Sequence, residues 1–404
     1  MSEQTVTAVA EPAATAAPDA TVSKPHATKY TRNQPYASRV LVNDRLTGSE
    51  SEKETIHIEL SVEEGMSYTP GDAVGIIPTN REAQVVDVLE ALGFTGTERV
   101  LDHYKVETDL HDALTTRLGV GKLARGSVNH YAKLFGETVP QGLKALQGQE
   151  NKAIAEEYVW GREFVDLVRE FPGAVTDPQQ LFNVLQRLTP RMYSISSSQA
   201  AHPNAVHTTV RVIKYHSHGL DREGVCSGHM GARAPVGGSL PIFLHENNAF
   251  RLPESGDAPV IMIGPGTGIA PFRAFLEHRQ ALGENGPMWL FFGEQRRVSD
   301  FLYEQQFNGM LQDGTLARLD TAFSRDSAKK VYVQDKMREH AKELYDWLER
   351  GAYFYVCGDA SRMAKDVETA LLDVIAQGAN GTLEHANEYL AEMKKTKRYQ
   401  RDVY

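Results

Sequence analysis

Four short stretches of the sequence hold residue types whose spacing could serve redox chemistry. In "RMYSISSS", Arg191 can pair with a diphosphate, Tyr193 can lie against a flat ring, and Ser194 can hydrogen-bond a redox nitrogen. Strand geometry puts Tyr193 and Ile195 on one face and Ser194 on the other, so backbone as well as side chains would have to line such a site. "REGVCSGHM" offers Gly224, Val225, Cys226 and Ser227 as an amide-rich turn suited to a diphosphate. "VIMIGPGTGIAPFRAF" sets Gly264, Gly266 and Gly268 between an apolar run and a helical pattern, where a second diphosphate could approach the backbone amides beside the Thr267 hydroxyl. The bland alternative is a tight turn that needs glycine, but the strand–loop–helix context favours a nucleotide. Two diphosphate-grade turns imply two dinucleotides.

The identity of the second dinucleotide rests on two clues that disagree. Glu294, at the end of "FFGE", would nominate NAD, because an acid there takes the ribose hydroxyls. "FSRDSAKKVYVQ" gathers Ser324, Arg325, Lys330, Tyr332 and Gln334, which suits the extra phosphate of NADP, with Tyr332 stacked on adenine. The second clue supplies positive charge where a dianion needs it, so NADP is favoured. Cys357, in "YVCGD", reads on its own as a small buried core residue. The chain closes on "RYQRDVY", and a closing aromatic such as Tyr404 is by itself more often idle than docked. Among the 14 histidines the nearest pair, His216 and His218, lacks acidic or cysteine partners at a recognisable spacing, so no metal is expected.

These residues need elements to hold them. The 404 residues allow two or three domains, and the net charge of −10 argues against a nucleic-acid partner. Two distant cysteines exclude a disulfide framework and make a reducing, cytoplasmic setting the default. No apolar run reaches membrane-spanning length, and residues 1–30, rich in Ala and Pro, read as a disordered tail without signal-peptide character. From residue 31 to 255, "ASRVLVNDRL", "ETIHIELSV", "HTTVRVIKY" and "GGSLPIFL" alternate as half-buried antiparallel strands. A helical insert over about 81–188 interrupts them. Within it "REAQVVDVLEALG" predicts a helix stopped by Gly93, and "DPQQLFNVLQRLTP" predicts another, capped by Asp177 and Pro178, with Leu181, Val184, Leu185 and Leu188 as its stripe. From 256 to 404, unbroken apolar runs alternate with amphipathic helices, the pattern of a doubly wound parallel sheet.

The ordered set "RMYSISSS", "GVCS", "IGPGTGIAPFRAF", "SRDSAKKVYVQDK", "YVCGDASRMAKDV" and "RYQRDVY" resembles the ferredoxin–NADP reductase superfamily. Within it the likeness is to the reductase half of diflavin reductases, of the NADPH-dependent sulfite reductase flavoprotein kind, and it covers nearly all of residues 31–404. The resemblance implies an FAD-binding β-barrel with a helical insert, followed by an NADP-binding α/β domain. It assigns FAD to Arg191, Met192, Tyr193 and Ser194, to Thr209, Val210 and Arg211, to Tyr215, and to Gly224, Val225, Cys226 and Ser227. NADP falls to Thr267, Ser324, Arg325, Lys330, Val331, Tyr332, Val333, Gln334 and Asp366. Ser194, Cys357 and Asp402 would assist hydride transfer, and Tyr404 would cover the flavin and move aside for nicotinamide.

The implied activity is transfer of electrons from NADPH through FAD to a redox protein, either a sirohaem sulfite reductase subunit or a separate flavodoxin or FMN protein. A free-standing NADPH–flavodoxin or ferredoxin reductase is the alternative, and a non-enzymatic nucleotide-sensing module a third reading. Two departures stand out: no flavodoxin-like FMN domain is expected in the chain, and Gly228-His229 follow "GVCS" where relatives commonly carry a bulkier pair.

Overall fold

The structure is a computed structural model that describes residues 29–404. The expected tail therefore lies, but for its last two residues, outside the described residues. Val260–Ile263, four apolar residues with no solvent exposure, form the central strand of a five-stranded parallel sheet. The order is Arg318–Phe323, Met288–Glu294, Val260–Ile263, Tyr353–Gly358, Tyr399–Val403. Helices cover both faces, which explains why these strands read as continuous apolar runs. The chain switches direction between the central strand and Tyr353–Gly358, and in such sheets ligands sit outside the carboxyl ends at that switch. Tyr399–Val403 was not foreseen as a strand, yet it pairs in parallel with Tyr353–Gly358 and sets Asp402 opposite Cys357.

The second sheet is antiparallel, in the order Arg191–Ser194, Ala73–Ile76, Ser239–His245, Tyr36–Arg45, Glu54–Ser61, Ala205–Val212. A bridge between Ile195 and Thr208 joins its two edges, with Ser196 N–H donating to the His207 carbonyl at 2.8 Å, so the sheet closes into a barrel. The strand Glu54–Ser61 departs from its half-buried expectation, because both of its faces are largely covered. The parallel-sheet lobe supplies the second cover. The Tyr303 hydroxyl lies 2.9 Å from His57 Nδ1 and 2.7 Å from Thr209 Oγ1. Arg273 donates to the Ser196 carbonyl at 2.7 Å.

Between Ile76 and Arg191 the insert packs its helices around one apolar cluster that includes Val85, Val88, Leu114, Tyr131, Phe164 and Leu181. The helix Glu82–Leu92 ends as predicted at Gly93, whose φ of 75° an L side chain would resist. Complete burial of Val85 and Val88 contributes about 1.5–3 kcal/mol each. The second predicted helix is shorter than its stripe implied. Asp177 caps a 3₁₀ turn, Pro178–Gln180, followed by a single turn, Leu181–Val184. The chain then straightens because Gln186 and Leu188 bond with Gly119 and Arg117, at 2.8 and 2.7 Å. Tertiary pairing overrode the local period.

Candidate active site

A cleft of about 990 Å³ lies where the barrel meets the carboxyl ends of the parallel strands. Its size and mixed lining suit a nucleotide-sized ligand. The glycine loop forms one wall. At Gly268 an added Cβ would stand 2.1 Å from the Cys357 carbonyl oxygen, so only glycine lets the loop rest on that strand end. Gly266 takes a φ of 60° in the same loop.

Ser194, at the end of a barrel strand, donates its hydroxyl to Asp402 Oδ2 at 2.7 Å. Cys357 Sγ stands 4.0 Å from the same oxygen. Strand register places Asp402 there, since residues 357 and 402 are direct partners. Burial, then the nearby Asp402 charge, raises the Cys357 thiol well above its ordinary range, so it stays protonated. Tyr404 is fixed at three points: its N–H bonds the Gly358 carbonyl at 3.1 Å, its carbonyl accepts from Ala360 at 3.0 Å, and its hydroxyl meets Thr267 Oγ1 at 2.9 Å. The residue is nevertheless 64% exposed. A held aromatic with an open face is what a flat ring system needs for stacking.

Of the residues expected at the site, the cleft gathers Met192, Tyr193, Ser194, Thr209, Val210, Arg211, Thr267, Ser324, Arg325, Lys330, Tyr332, Val333, Gln334, Asp366, Asp402 and Tyr404. Arg191, Tyr215, Gly224, Val225, Cys226, Ser227, Val331 and Cys357 do not line it. Arg191 turns to the Thr189 carbonyl at 3.1 Å, and Cys357 is wholly buried. The "GVCS" stretch is no turn but the first turn of a helix, Val225–Arg233, with Gly224 at its N-cap. That helix start abuts the cleft: Ile213, which lines it, donates its N–H to Ser227 Oγ at 3.2 Å and accepts from Gly224 N–H at 2.9 Å. Gly228 is explained by its surroundings, since a Cβ would come within 2.5 Å of the Glu223 carboxyl, which pairs with Arg233. His229 is buried and accepts from Thr79 N–H at 3.1 Å, and burial, with Arg233 nearby, holds it down to about 4.

The nucleotide half is cationic. Ser324 N–H donates to the Glu294 carbonyl at 2.9 Å, and Arg325 N–H to that of Gln295 at 2.8 Å, which fixes the turn carrying both side chains. Lys330, Arg362 and Arg211 line the cleft, and among the described residues their side chains make no hydrogen bond or ion pair. Arg362 was missed in the sequence, although its place just before the helix Met363–Gly378 was a usable signal. Lys53 was also missed. It comes from the barrel and binds both Glu294 oxygens, at 2.6 and 2.9 Å, and nothing in its local sequence marks it.

His216 and His218, on a surface hairpin, do not converge. Among the described residues the groups at cation-ligand spacing are His57, Glu59 and His207, in the seam between the lobes. Arg273 points a donor at His207 Nδ1 from 3.4 Å, which leaves the ring proton on Nε2, facing Glu59 Oε2 at 3.6 Å. At that distance His207 Nε2 has no hydrogen-bond partner among the described residues, although it faces a carboxylate.

The residues present fit a flavin beside Ser194 and Tyr404 and a phosphorylated nucleotide beside Ser324 and Lys330. The family described as "FAD binding domain" matches residues 28–146 and 131–229, together half of the chain, and "Oxidoreductase NAD-binding domain" matches 262–369. The chain is 40% identical over 387 residues to the sulfite reductase [NADPH] flavoprotein alpha-component of Bacillus subtilis (strain 168), covering 95% of this chain and 64% of that protein. It is 42% identical over 389 residues to the component of the same name from Yersinia enterocolitica, covering 96% and 63%, and 43% over 377 residues to that of Yersinia pestis, covering 93% and 61%. The chain thus spans less than two thirds of the length of these relatives. Among the described residues no helix is long and apolar enough to cross a membrane. By sequence match and by the closed barrel joined to a parallel nucleotide sheet, the chain belongs to the FAD-binding-domain family, with an oxidoreductase NAD-binding domain following the barrel.

Proposed function

We propose that the chain is an NADPH-dependent FAD reductase that passes electrons to a partner redox protein, as the electron-input component of an assimilatory, cytoplasmic sulfite reductase. One observation carries the reading: Ser194 from the barrel and Cys357 from the parallel sheet converge on a single carboxylate oxygen of Asp402, beside Tyr404. We assign 31–255 to FAD and 256–404 to NADP. FAD, when bound, supplies conversion of a two-electron hydride into single-electron transfers.

The protein's own groups do the positioning. Asp402 accepts the Ser194 proton, which fixes the serine oxygen as an acceptor toward the site, and its negative charge favours the cationic nicotinamide that forms as hydride leaves. Cys357, neutral and buried, packs beside that carboxylate and is not a nucleophile. Arg325, Lys330 and Ser324 hold the 2′-phosphate, and Tyr332, 43% exposed, stacks on adenine. Tyr404 must swing off its Thr267 bond to admit nicotinamide, at a cost of about 0.5–1.5 kcal/mol for that bond.

Anaerobic titration of the FAD-loaded protein with NADPH, and separately with NADH, tests the input half. Stoichiometric flavin bleaching by NADPH at concentrations where NADH does little is expected, and no bleaching by either refutes the reading. Sulfite-dependent NADPH oxidation with a sirohaem subunit, with and without a separate flavodoxin, then tests the acceptor.

A further inference from the structure

The barrel sends a dipeptide, Glu52-Lys53, across the seam to two oppositely charged residues of the nucleotide lobe. Glu52 pairs with Arg325 at 2.5 Å, and Lys53 pairs with Glu294. The two bridges differ in kind. Glu52 is 60% exposed at its side chain, so its bridge is open to solvent and readily given up to a competing phosphate. The Lys53–Glu294 pair is 17% and 3% exposed, and Glu294 accepts two lysine contacts and the Gln295 N–H at 2.8 Å.

Glu294 ends the strand next to the one that feeds the glycine loop. Its Oε1 lies 3.5 Å from where a Gly266 Cβ would be, and its carbonyl holds Ser324. An acid in that place would accept from the ribose hydroxyls of NAD and repel a 2′-phosphate. Here its charge is compensated by a lysine from the other lobe.

We propose that Lys53 sets the nucleotide specificity of the cleft from outside the nucleotide domain, by occupying Glu294 and thereby cancelling an NAD-type acid. Lys53 is a positioning residue: it acts through Glu294, and the cations of the 324–330 segment do the phosphate binding. The inference rests on the proposed NADP reading and adds the reason that a chain with a glutamate at this position still prefers the phosphorylated cofactor. It also makes the preference a property of the two lobes together.

The test is calorimetric binding of NADP⁺, NAD⁺ and 2′,5′-ADP to the FAD-loaded wild type, Lys53→Met, Lys53→Arg, Glu294→Gln and the Lys53→Met/Glu294→Gln double variant. Lys53→Met is expected to weaken NADP⁺ and 2′,5′-ADP by roughly tenfold or more and to leave NAD⁺ unchanged or tighter. Lys53→Arg should keep the wild-type ratio, and the double variant should regain it, because no uncompensated acid remains. A purely structural role for Lys53 would weaken all three ligands alike, with no recovery in the double variant, and would overturn the proposal. Should Lys53→Met not fold, the Lys53→Arg and double variants still decide: a double variant that folds yet prefers NAD⁺ refutes the idea. A wild type that does not prefer NADP⁺ would instead overturn the NADP reading on which this rests.

Discussion

Replacing Gly268 by alanine tests whether the glycine loop must touch the strand end that carries Cys357. The added Cβ would begin 2.1 Å from the Cys357 carbonyl oxygen and 2.7 Å from its carbonyl carbon, where real Cβ contacts essentially never fall below 3.0 Å. Both obstructing atoms belong to the backbone of an interior strand that is buried from Phe354 onward, so the loop is what yields, by about 1 Å. Overpacking of this kind costs about 1–3 kcal/mol, and a 1 Å misplacement of reacting groups costs on the order of 10²-fold in rate. Gly309→Ala serves as the control, because its Cβ meets nothing within 4 Å on the helix Glu304–Asp313 and should be neutral or stabilising by up to about 1 kcal/mol. Anaerobic stopped-flow reduction by NADPH, paired with thermal unfolding, separates the two effects. Gly268→Ala should reduce its flavin far more slowly than wild type while its melting falls only modestly. Wild-type reduction kinetics in a folded Gly268→Ala protein would show that the loop's contact with Cys357 does not position the nicotinamide.

Arg325→Ala should raise the KM for NADPH by roughly tenfold or more and leave that for NADH within about twofold, since it removes the proposed phosphate contact and, besides that, only a solvent-exposed pair with Glu52; equal effects would mean the phosphate binds elsewhere. Tyr404→Ala should open the nicotinamide position, raise NADH use and alter flavin fluorescence, and an unchanged NADPH preference together with unchanged fluorescence would refute stacking by this ring. His229 contributes stability that is present above pH 6.5 and lost as pH falls toward its folded value of about 4, because the unfolded chain takes the proton more readily and the folded one must break the Thr79 bond to accept it. In His229→Gln, urea unfolding should therefore lose up to ~3 kcal/mol of pH dependence across that window, and an undiminished slope would show that His229 is not the group responsible.

Much of this architecture was readable from the sequence because local patterns and tertiary environment agreed. The apolar run Val260–Ile263 is buried on both faces, Gly93 stops its helix, and Met363–Gly378 turns the stripe of Val367, Leu371 and Val374 inward. Reading failed where a distant segment set the outcome. The helix expected through Leu188 yields to pairing with Arg117 and Gly119, and Glu54–Ser61 loses its exposed face to Tyr303. At the cleft, residues in motif-bearing loops were foreseeable from type and spacing. Lys53 was not, because its significance lies in Glu294, 241 residues away, and no local pattern records such a meeting.

Asp402 and Tyr404 are delivered by the strand at the margin of the parallel sheet, which among the described residues has a sheet partner on one side only. Marginal strands open more easily than central ones. Release of these few residues would leave both cores standing while separating Ser194 and Cys357 from their shared carboxylate. On the proposed reading the chemistry depends on the least protected member of a robust scaffold, and the fraction of molecules able to react would report local order at that margin rather than the stability of the fold.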